Sequence, residues 1–203
     1  MTDDSPREET LPEVDDRKRP LHFSIVEGIA VAVTLACVWL MAKENILGWP
    51  IGIVGCILYI YIFYGARLYS DVLLQVFFLV TQVYGWYAWG RDGGAELEIR
   101  RLALLPTLAW GAVAAAGILG LGTFMKRRTR AALPYWDAVT TVLSVIAQLF
   151  LTQKIFESWI LWVTVDLVAI GVYYARKLYM TCLLYFVLLV MATMGLIGWF
   201  AEL

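Results

Sequence analysis

The sequence predicts an all-α, polytopic membrane protein whose seven transmembrane helices divide as three, one and three, and three observations predict it. Hydrophobic residues make up 61% of the 203 positions and charged residues only 16%, against about 45 to 50% and about 25% in soluble domains. The apolar residues gather into seven runs near the ~20-residue length that crosses a bilayer. Two long stretches of those runs align with each other at a fixed offset, the mark of internal repetition.

The elements follow in order. Residues 1–21 open with "MTDDSPREETLPEVDDRKRP", polar and mostly acidic, too poor in apolar surface to fold alone. They lack the basic start and small-residue cleavage site of a signal peptide, so a disordered tail is expected. Apolar runs then cover residues 24–42, 47–65 and 71–89, a first three-helix bundle within residues 22–90. A connecting helix over 102–124 lies within residues 100–125, and runs at 136–151, 158–175 and 178–200 form a second bundle within 135–203. Charged or Gly/Pro clusters mark each break.

A shift of 110 positions lays residues 49–89 over 159–199 without a gap, with 11 identities in 41 pairs. Trp49 meets Trp159, Tyr64 meets Tyr174, Gly85 meets Gly195 and Trp89 meets Trp199. Chance matching of apolar sequence gives roughly a tenth, and rarely in tryptophan and glycine. Glu27 over Asp137 and Thr34 over Ser144 bring the first and fifth runs into the repeat. One odd connector between two triplets restores the chain direction, so the triplets are expected to be parallel repeats about an axis along the membrane normal, a SWEET-like arrangement.

Basic residues set the orientation. An inward N-terminus places Arg17, Lys18, Arg19, Arg67, Lys126, Arg127, Arg128, Arg130, Arg176 and Lys177 inside; the reverse places only Lys43, Arg91, Arg100, Arg101 and Lys154 there. The N-terminus is expected in the cytoplasm and the C-terminus on the far side, with "KRRTR" as a solvated topology signal.

Polar residues within the runs fall on single helical faces. Asp137, Thr141, Ser144 and Gln148 form one stripe, Trp159, Trp162, Asp166 and Tyr173 a second, and Gln75, Gln82, Trp86 and Trp89 a third. Trp49, Tyr87 and Trp89 sit at run ends and read as an interfacial belt. Gln82, Trp86, Trp162 and Asp166 read as the wall of a cavity; the bland alternative is polar glue between helices. Asp166 has no basic partner within any run, so it is expected either to be held neutral, bonded to Thr164 or to hydroxyls of neighbouring helices, or to face a cationic substrate. Aromatic faces attract such cations too.

Several classes of function drop out. The net charge of −1 comes with short basic clusters rather than a stripe, which excludes a nucleic-acid partner. Cys37, Cys56 and Cys182 lack metal or disulfide spacing, and His22 has no ligand partner at helical spacing, so neither a metal, a cofactor nor an enzyme is expected. "GILGLG" (117–122) has no preceding strand and reads as close helix packing rather than a phosphate loop.

The stretches "LGWPIGIVGCILYIYIFYGARLYSD", "QVYGWYAW", "WDAVTTVLSVIAQLF", "SWILWVTVD" and "YYARKLY" make the chain similar to the PnuC family of bacterial vitamin transporters. The resemblance implies a three-one-three helix fold, a trimer in the inner membrane among its lipids, and facilitated diffusion of a vitamin precursor, chiefly nicotinamide riboside, trapped by cytosolic phosphorylation. Carried over by motif, it nominates Gln82, Trp86, Trp159 and Trp162 for substrate; the stripes add Thr141, Ser144, Gln148, Asp166 and Tyr173. Ser158 and Asp166 stand where members associated with nicotinamide riboside often have Asn, which keeps thiamine and riboflavin as alternatives. A sugar uniporter and a non-transporting scaffold are the more distant readings.

Overall fold

The structure is a computed structural model that describes residues 21–66, 69–91, 97–129, 133–175 and 177–203. The expected acidic tail lies outside the described residues, apart from Leu21, as do Arg17, Lys18, Arg19, Arg67, Arg130 and Arg176 among the orientation signals. Among the described residues there are seven helices: α1 (Leu21–Ala42), α2 (Gly48–Gly65), α3 (Tyr69–Gly90), α4 (Leu104–Arg128), α5 (Pro134–Thr152), α6 (Glu157–Ala175) and α7 (Tyr179–Phe200). Each is long and apolar enough to cross a membrane. The clearest departure from the predicted ends is at α4, which runs on to Arg128 because Lys126, Arg127 and Arg128 form its last turn. Cations are favourable at a helix C-terminus, so a cluster read as a break is a helix end.

Local chemistry explains the starts and stops. Pro134 sits in the first turn of α5, where its missing N–H costs nothing, and Asn45 Oδ1 accepts the Leu47 N–H at 2.9 Å just before α2. Helices α1 and α5 end alike, in left-handed residues, Glu44 (φ 51°) and Lys154 (φ 50°). Glu44 N–H donates to the Met41 carbonyl at 3.0 Å and Asn45 N–H to Leu40 at 2.8 Å; Lys154 donates to Leu151 at 3.2 Å and Ile155 to Phe150 at 3.0 Å. This doubled pattern is the Schellman ending, which normally uses glycine.

Packing closes six helices into a ring. The order of neighbours is α1, α2, α3, α5, α6, α7 and back to α1, while α4 packs against α5 alone. Every junction has a counterpart under the 110-residue shift: α1 with α2 matches α5 with α6, and α7 with α1 matches α3 with α5. Helix α4 seats on α5 through Gly117 against Val142 and Gly122 against the Tyr135 ring, with Trp110 edge-on to Phe150 at 5.2 Å. Two of the "GILGLG" glycines thus serve close packing; nothing lies within 4 Å of a Cβ added at Gly120.

The largest aromatic core sits at the end of the ring where α3 and α7 finish. Trp49 meets Trp89 edge-on at 5.2 Å, Trp159 meets Trp199 at 5.6 Å, and Trp89 meets Trp199 at 6.2 Å. The Trp49 ring lies where a Gly85 side chain would be, and the Trp159 ring where a Gly195 side chain would be. The matched tryptophans and glycines of the repeat therefore build one four-ring layer that joins the halves. Trp49 and Trp89, read from sequence as an interfacial belt, are buried at 0% and 3% exposure; pairing across the seam draws these rings inward. Tyr87 is the exposed member of that trio and lies under the Arg91 guanidinium.

Candidate functional site

Beneath the four-ring layer, polar side chains from α3, α5 and α6 point into the ring. Gln82 lies seven residues from Trp89 on α3, and Asp166 seven from Trp159 on α6, so both are about 10 Å below the rings by helical rise. Gln82, Ser144, Gln148 and Asp166 are all buried. Gln82 reaches across to α1 and α2: its amide nitrogen approaches Cys37 Sγ at 3.9 Å, and its carboxamide fills the space over Gly52. Trp162 borders the core cluster that contains Cys37 and the four rings. Gln82 and Trp162 are thereby brought to the same interior.

The hydrogen-bond ledger at this depth is incomplete. Gln82 Oε1 and Gln148 Nε2 are buried there without a partner, and so is the Ser158 hydroxyl higher up, beside Trp159 at the four-ring layer. Buried polar groups are nearly always paired, and an orphan costs about 1–3 kcal/mol. The two glutamine atoms supply amide chemistry, so they suit a ligand carrying its own amide or hydroxyls.

Deeper along α6, a second aromatic layer appears. Tyr173 stacks on Tyr185 of α7 at 5.2 Å and 19°, and Tyr185 lies within electrostatic reach of Asp166 and Tyr59. Tyr185 is fourteen residues from Trp199, as Tyr173 is from Trp159, about 21 Å by helical rise. The buried amides and Asp166 are bracketed between indoles at one end and phenols at the other. Tyr59 and Tyr185 escaped the sequence reading because their own helices are apolar nearly all round; only the packing selects them.

Other expected site residues lie elsewhere. Trp86 is 47% exposed and lines an open depression of about 620 Å³ with Val83, Tyr87, Gly90 and Arg91 on the outer face of α3. It sits about 40° round the helix from Gln82, on the side away from Gly85, and the Gly85–Trp49 contact turns α3 so that this side faces out. Trp159 is committed to the four-ring layer at 1% exposure. Thr141 is half-buried and spends its hydroxyl on the Asp137 carbonyl at 2.9 Å. Thr164 donates to the Ile160 carbonyl at 2.8 Å and does not serve Asp166, since residues two apart face about 200° from each other.

Comparison with known proteins shows the family and the fold. The family model described as nicotinamide mononucleotide transporter matches residues 24–201, all seven helices but the first residues of α1. The nicotinamide riboside transporter PnuC of Escherichia coli (strain K12) is 32% identical over 204 residues, covering 87% of this chain and 85% of that protein. The chain belongs to the PnuC family. Another PnuC, from Neisseria mucosa, is 27% identical over 157 residues, 74% of this chain and 60% of its own. The riboflavin/roseoflavin transporter RibM of Streptomyces davaonensis is 24% identical over 183 residues, 88% of this chain and 84% of its own. A solved structure, the crystal structure of the vitamin B3 transporter PnuC, superposes with a TM-score of 0.71 at 23% identity, over 88% of this chain and 82% of the other, so the PnuC fold is shared. Seven apolar helices and membership of a PnuC transporter family make the chain a multi-pass membrane protein.

Proposed function

We propose that the protein carries nicotinamide riboside across the bacterial inner membrane by facilitated diffusion, with the N-terminus in the cytoplasm and the chain assembled as a trimer. The observation that carries this reading is the pair of buried amides, Gln82 and Gln148, each with an atom left open near the depth of Asp166 and Trp162. Nicotinamide riboside has a carboxamide, a cationic pyridinium ring and ribose hydroxyls. The two glutamines match the carboxamide or ribose edges, Ser144 adds a hydroxyl, the Trp162 face takes the ring, and Asp166 with Tyr173 offers negative charge and a further π-face. A cation over an aromatic ring gains about 0.5–2 kcal/mol.

Trp159 stays in this reading as part of the lid over the ligand, Thr141 as a helix-wall residue, and Trp86 drops out of the wall. Two parallel triplets joined by α4, a 3+1+3 SWEET-like arrangement, suit alternating access by rocking of one triplet against the other. The matched ring junctions support it. The RibM likeness keeps riboflavin as a second substrate reading, but riboflavin is neutral and Asp166 suits it less than it suits a cation.

The test is binding of nicotinamide riboside, thiamine and riboflavin to purified protein, repeated with Asp166→Asn and Gln148→Ala. A ligand that binds only the folded protein raises its melting temperature by mass action. Nicotinamide riboside should stabilise the parent, with affinity falling about tenfold or more for each variant. Preference for riboflavin, indifferent to Asp166→Asn, overturns the substrate assignment; no stabilisation by any of the three overturns the site.

A further inference from the structure

Glu44 and Lys154 occupy the same position of the two repeats, 110 residues apart, and they bond to each other: Lys154 Nζ donates to Glu44 Oε2 at 2.6 Å. A contact between a residue and its own repeat mate lies on the axis that relates the halves. This pair sits directly above the four-ring layer, with the Lys154 ammonium 4.9 Å from the Trp89 ring centroid. A second carboxyl, Glu202 just beyond α7, donates a hydrogen bond to the Glu44 carboxylate from its protonated form.

Both residues are held in the left-handed region, at a turn where glycine is the unstrained choice. Glutamate and lysine there cost backbone energy, and what the side chains return for it is the bond across the axis. The layer beneath is not fully satisfied either, since all four indole N–H groups lack a partner. A lid with unmet donors loses less on meeting water than a satisfied one, so it is built to part.

The two corners are anchored differently. Lys154 belongs to a loop clamped by the segment that precedes α4: Arg100 N–H donates to the Lys154 carbonyl at 3.1 Å and Phe156 N–H to the Arg100 carbonyl at 2.9 Å. The Arg100 guanidinium donates to Gln153 Oε1 at 3.1 Å, and the Leu102 N–H donates to Glu157 Oε2 at 3.2 Å. The Glu44 loop, among the described residues, bonds within itself, through Asn45 to Leu47, and otherwise through Glu44 to Lys154 and Glu202.

We propose that the Glu44–Lys154 pair and the four rings form the gate on this side of the ring, and that the gate opens one-sidedly. The first triplet's corner, carrying Glu44, swings away from Lys154 and Glu202, while the second corner stays pinned to Arg100 and Leu102 ahead of α4. The proposal rests on the transport reading for its purpose but not for its test. Native Cys37, seven residues below Glu44 and buried against Gln82, reports opening without any substrate.

With Cys56 and Cys182 replaced by alanine, labelling of Cys37 by a small charged methanethiosulfonate applied to the Glu44 face is slow in the closed protein. Glu44→Gln and Lys154→Gln should each speed it about tenfold, and the swap Glu44→Lys with Lys154→Glu should return it toward the starting rate. A disulfide between Glu44→Cys and Glu202→Cys should abolish labelling, whereas one between Arg100→Cys and Gln153→Cys should leave it unchanged. Rates indifferent to the charge variants overturn the gate, and blockage by the Arg100–Gln153 bridge overturns its one-sidedness. Normal gating without nicotinamide riboside flux leaves the gate standing and removes the substrate.

Discussion

The Gln82 carboxamide of α3 occupies the space that any side chain at Gly52 of α2 would fill. Under the repeat, Gly52 corresponds to Trp162 and Gln82 to Ala192: one half places a small residue on α2 and an amide on α3, the other a large ring on α6 and a small residue on α7. The same asymmetry sets Gln148 against Val38 and Asp166 against Cys56. Positions retained in both halves make the frame, and positions that diverged carry the polar chemistry.

Gly52→Ala therefore tests the site with a single methyl. The new Cβ displaces Gln82, so nicotinamide riboside affinity is expected to fall at least tenfold while thermal stability drops by no more than about 1–3 kcal/mol, the usual cost of overpacking. Ligand titration beside a melting curve separates the two.

The four-ring layer predicts matched losses. Trp89→Ala and Trp199→Ala each remove a buried ring from the seam between halves, and each should destabilise by about 3–5 kcal/mol. Because these residues touch one another, the double variant should lose less than the sum. Strict additivity in thermal or denaturant unfolding would mean that the rings do not act as one layer.

Stability should follow pH through Glu44 and Glu202. For Glu44, burial pushes the carboxyl up, but the hydrogen bonds from Glu202 and Lys154 and the lysine charge outweigh it, and the net shift is downward from 4.5. Its contribution is present above 4.5 and lost as pH falls through the lowered value. Glu202 is raised from 4.5, first by its hydrogen bond to Glu44, so its contribution is present below 4.5 and lost as pH rises through the raised value. The remaining neighbouring charges point elsewhere, Lys43 over Trp39 and Arg100 to Gln153. Melting temperature should thus be greatest in the mildly acidic window between the two, with Glu202→Gln removing the alkaline fall and sparing the acid one.

Helix α4 offers a control outside the ring. Gly122→Val drives a side chain into the Tyr135 ring and should loosen α4 from α5, making amides of α4 exchange faster while leaving Cys37 labelling unchanged. Faster labelling would show that α4 supports the gate.

Composition and run length made all seven helices legible, because a lipid-facing helix must be apolar along its whole length. The repeat made the retained tryptophans and glycines legible as equivalents, yet equivalence does not say that mates touch; that needs the ring to close, and closure lies in tertiary packing. Periodicity identified a polar face on α3 but not its centre. Trp86 and Gly85 flank Gln82 on opposite sides, and a glycine, silent in any polarity count, decided which side turned inward. Asp166 was found by its charge, whereas the Glu44–Lys154 pair was hidden in plain view, since loop charges read as topology signals rather than as partners.

The axial ion pair also bears on ancestry. Two copies of the first triplet, associating as a homodimer about the same axis, would set Glu44 against Glu44, and two copies of the second would set lysine against lysine. Opposite charges at a self-facing position require two copies free to diverge, so neither half on its own is expected to rebuild this assembly.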